Sequence, residues 1–247
     1  MLSRIKSSIG RLLEEIKEIE NTRIHYDKED KEYFEFRKGK IPILISAPHG
    51  ARHWRDNNWK EEDEYTSSIA IKLAEQTGAY VIFVKNATRE DPNYIEENRY
   101  KEAVSEVIKK YEIKFLLDLH GANKRRNFKV SVGIIDNDIE KCSCPTFKEI
   151  IQRAFSVFQD EIYNLDGLTA SHPGTITCFA RNRLGIEAAQ IEINAKFRIV
   201  DRKPESAKAK KGEEPNYMAK EKNVLEFIKV MERVITEINR KITIEKS

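Results

Sequence analysis

A chain of 247 residues with 40% apolar and 34% charged side chains has room for one large α/β domain or two small ones. It excludes a disordered tract, a collagen-like repeat and a disulfide-dense mini-protein. Its 44 Lys and Arg against 41 Asp and Glu leave a net charge of +3, too balanced to make a polyanion the default partner, so no nucleic acid is expected. The three cysteines, Cys142, Cys144 and Cys178, are odd in number, and the Cys-x-Cys pair is too close for ordinary bridging geometry, so they read as reduced, buried thiols. A composition crowded with Lys, Glu and Ile and poor in Gln is similar to that of proteins that work hot.

The first 22 residues place Ile5, Ile9, Leu12, Leu13, Ile16 and Ile19 on one stripe of a helix. They contain no unbroken apolar stretch of the kind a signal peptide or membrane span needs, so no membrane partner and a cytoplasmic address are expected. A strand around Tyr33 to Arg37 and a Lys-Gly-Lys turn lead to the apolar run Ile43, Leu44, Ile45, which stops at Ala47-Pro48-His49-Gly50. A helix from Thr66 to Thr77 then precedes the strand Tyr80 to Val84, and a helix from Tyr94 to Tyr111 precedes the strand Lys114 to Leu119. Such alternation implies a three-layer α/β/α fold around a mixed, mostly parallel sheet. Further on, a strand is expected over Lys129 to Ile135 with a turn at Asp136-Asn137-Asp138, a helix over Thr146 to Tyr163, loop-like sequence, and a buried strand within Gly185 to Asn194. Asp201 to Asn216 lacks any large apolar anchor and reads as a mobile surface loop, and residues 217–241 read as an amphipathic helix. With no repeat and no clean linker, residues 1–247 are read as a single domain; a homo-oligomer stays open.

Of the five histidines, His49 and His120 share one local setting: a strand, then His, then Gly. In open α/β sheets ligands collect beyond the carboxyl ends of the strands, so side chains at the ends of separate strands converge there. Gly50 and Gly121 are expected to let the backbone turn sharply and leave room for a metal or substrate. Two imidazoles are half of a catalytic zinc site, which commonly has three protein ligands and one open position. The run Glu61-Glu62-Asp63-Glu64 offers the third ligand where the first strand's loop returns to the next helix. Asp63 is the choice among these four acids, and Thr66 is expected to cap the helix. Glu192 interrupts the otherwise apolar strand Ala188 to Ile193, where a buried charge without a polar partner costs several kcal/mol, roughly; it is read as a general base for hydrolysis by metal-activated water. His25 and His172 read as surface residues, and His53 as a supporting or exposed one.

Four segments in this order, Ala47-Pro48-His49-Gly50, Glu62-Asp63 with Thr66, Asp118-Leu119-His120-Gly121 and Ile191-Glu192-Ile193-Asn194, resemble the ordered motifs of the N-formylglutamate amidohydrolase family. The resemblance spans roughly residues 41 to 198. It implies an architecture similar to zinc carboxypeptidases and deacylases, one Zn2+ held by His49, Asp63 and His120, and hydrolysis of an amide in a small N-acyl amino acid, a carboxylate-bearing substrate.

Substrate recognition calls for arginine forks or polar donors. Arg89 to Asn93 resembles the family's arginine and Asp-x-Asn-Arg segment, but Tyr94 stands where the family's arginine would be. Arg89 and Asn93 are therefore expected at the substrate, with Arg99 or Arg126 replacing the missing guanidinium; Arg181, Arg183, Thr175 and Thr177 rank behind them. The segment after Phe197 is expected to act as a lid. The rival readings are a zinc peptidase or poly-glutamate hydrolase, and a carboxylate-binding protein on the same scaffold without turnover.

Overall fold

The computed structural model describes residues 2–135, 142–158, 169–201 and 217–245, with side chains from residue 10 onward. The expected turn at 136–138, the end of the helix expected to Tyr163 and nearly all of the lid and mobile-loop segment lie outside the described residues. In chain order the elements are α1 (Leu2–Arg23), β1 (His25–Glu29), β2 (Phe34–Arg37), β3 (Ile41–Ala47), β4 (His53–Arg55), β5 (Asn58–Lys60), α2 (Thr66–Thr77), β6 (Ala79–Val84), β7 (Asn86–Ala87), α3 (Arg99–Lys110), β8 (Phe115–Ala122), β9 (Val130–Gly133), α4 (Lys148–Phe155), α5 (Ile176–Leu184), β10 (Glu187–Asn194) and α6 (Glu221–Ile244).

Six strands form the central sheet in the order β2-β6-β3-β8-β10-β9. The four inner strands run parallel, and β2 and β9 join the edges antiparallel, which is the mixed, mostly parallel sheet read from the alternation of patterns. From β3 the chain moves outward to β6 and then returns across β3 to β8. The β3/β8 boundary is thus the point where the direction of winding reverses, and such a reversal opens a crevice at the carboxyl ends. Both histidines of the His-Gly motifs flank it.

One face of this sheet is apolar throughout: Ile45, Leu117, Ala189, Leu119, Ile191 and Val132 pack into a core shared with α1, α2, α4 and α6. The other face, under α3 and α5, changes character along the strands. The row Leu44, Leu116 and Ala188 is apolar and buried, the next row is Ser46, Asp118 and Gln190, and the third is His120, Glu192 and Ser131. Residues two apart on a strand share a face, so the sequence alternation within β8 and β10 is what assembles these polar rows over an apolar floor.

Several boundaries differ from the sequence reading for identifiable reasons. The helix expected from Tyr94 starts at Arg99, because the Asn98 side chain accepts from the Lys101 N–H at 2.9 Å and caps it there. Thr66 does not cap α2: the residue before the helix is Tyr65, in the left-handed region at φ 68°, and the Thr66 hydroxyl instead donates to the Asp63 carbonyl at 2.7 Å. The loop expected before Gly185 contains α5, whose nine residues bury Ile176, Thr177, Cys178 and Ala180 and so show no long apolar stripe. Its first turn is capped by Thr175, which accepts from the Cys178 N–H. The β4–β5 hairpin turns at Asp56 and Asn57, both at positive φ, the pair of conformations a two-residue hairpin requires.

Neither His-Gly glycine has a positive φ, and neither makes room for a ligand. Gly121 lies within β8, and a Cβ there would come within 2.7 Å of the Arg198 guanidinium. At Gly50 a Cβ would lie 1.9 Å from Ser67 Oγ and 2.5 Å from the Val84 carbonyl oxygen. These glycines admit neighbouring protein atoms. Gly50→Ala is therefore expected to destabilise the protein by about 1–3 kcal/mol, the scale of overpacking, read as a lower urea midpoint; an unchanged midpoint would contradict this packing.

Candidate metal centre

Two residues beyond β3, His49 is anchored through its own carbonyl, which accepts from the Asp63 N–H at 2.7 Å. Asp63 is thus fixed at its N–H by His49 and at its carbonyl by both the hydroxyl and the N–H of Thr66. The chain then passes through the left-handed Tyr65, a conformation costing about 1–2 kcal/mol for a residue with a side chain. The Tyr65 N–H donates to the buried Glu20 carboxylate of α1 at 3.0 Å, so a helix far away in sequence holds the turn that carries Asp63. Arg198 completes the support. Its buried guanidinium donates to the carbonyls of Ile193 and Glu64, tying the end of β10 to the residue after Asp63, across Gly121.

The result is a buried cluster with Asp63 between two imidazoles. Asp63 Oδ2 lies 3.5 Å from His49 Nδ1 and 3.4 Å from His120 Nδ1, and the three ligand atoms are all within 4.8 Å of one another. The outer nitrogen of each ring meets another buried carboxylate: His49 Nε2 is 2.8 Å from Asp91 Oδ1, and His120 Nε2 is 2.9 Å from Asp118 Oδ2. Asp118 also accepts from Ser46 Oγ at 2.7 Å, and the Ser46 hydroxyl lies 3.0 Å from that of Tyr100 on α3. Asp91 also accepts from the Asn93 N–H at 2.9 Å and from Arg55 Nη1 at 3.2 Å.

This donor set fits a divalent ion such as zinc. With ligand bonds of 2.0–2.2 Å, tetrahedral coordination requires donors about 3.4 Å apart, the spacing of Asp63 from both rings. Each imidazole bonded through its far nitrogen to a carboxylate is the arrangement that fixes ring orientation and raises ligand basicity. A second group, His49, His53 and Asp91, is also close enough to be considered. There the rings of His49 and His53 are stacked, 3.9 Å between centroids and 7° between planes. Nitrogen lone pairs lie in the ring plane, so those of parallel stacked rings do not converge on one ion. Asp91, moreover, is already engaged by His49 and Arg55. His53 reads as a wall for the His49 ring.

The charges set one another's protonation. Burial disfavours a charged His49, but Asp91 and Asp63 outweigh it and hold its pKa up at about 9. Burial is likewise outweighed at His120, where Asp118 and Asp63 push the pKa well above the usual imidazole range, and at Asp63, which both rings hold well below the usual carboxylate range. Burial and the charge on His49 push His53 down to about 3. Glu192 is raised by burial, which the His120 charge only partly offsets. It is Cα-paired with His120 across β10 and β8 and accepts from Gln190 Nε2 at 3.0 Å. Beside it the Gln190 Oε1 and Ser131 Oγ atoms are buried with no hydrogen-bond partner among the described residues.

The residues expected at the substrate are dispersed. Arg89 forms a two-bond pair with Glu29 of β1 at 2.8 and 3.0 Å, and Arg99 donates to the Lys31 carbonyl and to Glu32. Both line a separate cavity of about 520 Å³ with Tyr33 and Thr88. Arg126 is exposed on the turn after β8, its carbonyl accepting from Asn194. Asn93 uses its carboxamide oxygen to accept from the Ile176 N–H at the start of α5. His25 and His172 are exposed as expected, and the three cysteines are buried and free. His53, read from the sequence as a supporting or exposed residue, is buried and stacked on His49, whereas sequence reasoning gave no role to Asp91, Asp118, Ser46 and Arg55. For Asp118 a signal existed, an acid two residues before His120 on the same strand face; for Asp91 and Arg55 only the folded loops supply one.

Among solved structures, the chain superposes on N-formylglutamate amidohydrolase from Ralstonia eutropha JMP134 with a TM-score of 0.58 at 12% identity, covering 85% of this chain and 98% of that one. The chain has the fold of an N-formylglutamate amidohydrolase. A bacteriophage poly-gamma-glutamate hydrolase aligns at 13% identity over 90% of this chain and 95% of that one, with a TM-score of 0.49. No protein-family model and no curated protein matches the sequence. No helix among the described residues is long and apolar enough to cross a membrane.

Two outcomes are expected. His120→Ala should abolish stoichiometric zinc binding and His53→Ala should retain it, as measured by metal analysis after dialysis; the reverse order would move the ion to the stacked pair. Because His49 and His120 carry raised pKa values, an ion binding their Nδ1 atoms must displace protons. Zinc affinity of the metal-free protein should therefore rise with pH toward about 9, with at least one proton released per ion at pH 7. Calorimetry in buffers of different ionisation enthalpy reads that number, and zero release would contradict the assignment.

Proposed function

We propose that this chain is a zinc-dependent amidohydrolase that cleaves the amide of a small N-acyl amino acid, similar to N-formylglutamate, with Glu192 as the general base. The observation that carries the reading is the register of β8 and β10, which sets Glu192 directly beside His120 on the polar face of the sheet, next to a three-donor cluster of zinc-like spacing. His49, Asp63 and His120 would hold the ion, and when bound it supplies Lewis acidity and lowers the pKa of water.

The protein's own groups divide the remaining work. Asp91 and Asp118 keep the two rings oriented through their outer nitrogens. Glu192 takes the proton of the attacking water and returns it to the leaving amine, a task suited to a carboxylate whose burial raises its proton affinity. Gln190 fixes one Glu192 oxygen through Nε2, so the other is the one that moves the proton. Asn93, with its oxygen committed to Ile176, has its amide N–H groups to offer the substrate, and Arg126, exposed after β8, is a further candidate donor. The burial of His49, His120 and Glu192 strengthens each of these interactions relative to bulk water.

Glu192→Gln is nearly isosteric and is expected to keep zinc while lowering kcat for an N-formyl or N-acetyl amino acid by two or more orders of magnitude, about the size of general-base catalysis. Unchanged turnover in a zinc-loaded variant would assign the proton transfer elsewhere.

A further inference from the structure

Resting on the hydrolase reading, the geometry points to Arg55 as the residue that binds the substrate's carboxylate. Arg55 ends β4, the short strand that also carries His53. Its Nη1 donates to Asp91 Oδ2 at 3.2 Å, and Asp91 holds His49 at 2.8 Å, so the guanidinium sits one carboxylate away from a zinc ligand. Its other groups are little used. The nearest further acid is Asp56, 3.8 Å from Nε, and Nη2 has no hydrogen-bond partner among the described residues. A third of the side chain, 33%, is exposed. The guanidinium is therefore anchored through Nη1, on a side chain that keeps a third of its surface exposed.

Tyr94 explains how the guanidinium is held in place. The Arg55 Cζ lies 5.1 Å from the Tyr94 ring centroid, and the same ring stacks with His172 at 4.8 Å and 9°. A guanidinium lying on an aromatic ring keeps its N–H groups pointing outward in its own plane, free for a two-bond contact with a carboxylate. The platform itself is pinned. A Cβ on Gly174 would fall 1.7 Å from the Tyr94 carbonyl oxygen, so the two backbones are in close contact there. The buried Lys101 ammonium donates to the carbonyls of both Ile95 and Gly174. The position whose arginine the sequence lacks thus carries a ring that orients an arginine from β4.

Among the described residues, the opposite side of the cluster offers a carboxylate no buried cation. There the polar atoms are Glu192, the Gln190 Oε1 acceptor and the Ser131 hydroxyl, an acidic and neutral surface that repels a substrate anion. Arg89 and Arg99 are engaged by Glu29 and by the Lys31 and Glu32 segment at another cavity. Arg55 is the cation bonded to the buried cluster with donors to spare. The substrate class follows: an N-acyl amino acid whose α-carboxylate lies on the Arg55 side and whose scissile amide lies toward Glu192.

The test is calorimetric binding of N-formylglutamate and of its α-carboxamide counterpart to zinc-loaded Glu192→Gln protein, with Arg55 intact, Arg55→Ala or Arg55→Lys, and with zinc content measured for each. With Arg55 intact, the acid should bind about 10- to 100-fold more tightly than the carboxamide, the range of a charge-assisted hydrogen bond. Arg55→Ala should erase that preference while keeping zinc, and Arg55→Lys should restore part of it. A preference that survives Arg55→Ala, or none with Arg55 intact, would overturn the assignment, as would a loss of zinc in Arg55→Ala, which would make Arg55 a support of the metal cluster alone. The hydrolase reading fails separately, by an absence of turnover in the zinc-loaded wild type, and that outcome leaves the binding preference measurable.

Discussion

Everything at this site depends on which way two imidazole rings face. His49 and His120 each have one nitrogen bonded to a buried carboxylate, Asp91 and Asp118 respectively, and that bond leaves the other nitrogen directed at Asp63. Burying these acids carries a large desolvation cost, which their hydrogen-bond partners offset. The surrounding bonds supply those partners: Ser46 to Asp118, Arg55 and the Asn93 N–H to Asp91, and Thr66 with the His49 carbonyl around the backbone of Asp63. The cluster is thus a connected network of charge and hydrogen bonding, in which the carboxylates on the outer nitrogens set the orientation of both rings.

The sheet makes this network possible by separating its two faces. The apolar face anchors the strands to α1, α2, α4 and α6, so their register does not depend on the polar rows. On the other face a floor of Leu44, Leu116 and Ala188 gives way, two residues further along each strand, to Ser46, Asp118 and Gln190 and then to His120 and Glu192. A slip of one residue in β8 or β10 would drive these acids into the apolar core. The same alternation that specifies the fold therefore specifies which groups meet.

Much of this was legible in the sequence, and the limits are instructive. Alternating patterns gave the layered fold, and the strand-His-Gly repeat singled out His49 and His120 because side chains on neighbouring parallel strands meet without further information. Asp63 was readable as an acid just ahead of a helix, although Thr66 serves it by fixing its carbonyl and not by capping the helix. Residues brought in by loops were not readable. Asp91 and Arg55 reach the site through a segment after β7 and a three-residue strand, and neither has a period to detect. The glycines misled for a related reason: a glycine in sequence signals a close approach, but only the fold tells that Arg198 and Ser67 are what approaches.

The central claim, that the ion is bound through the Nδ1 atoms of His49 and His120 while their Nε2 atoms stay hydrogen-bonded to Asp91 and Asp118, is open to direct measurement. Protein labelled with 15N at histidine and loaded with cadmium-113 should show metal–nitrogen scalar coupling at Nδ1 of these two residues alone, with both Nε2 atoms carrying protons. Coupling through Nε2, or coupling to His53, would contradict it.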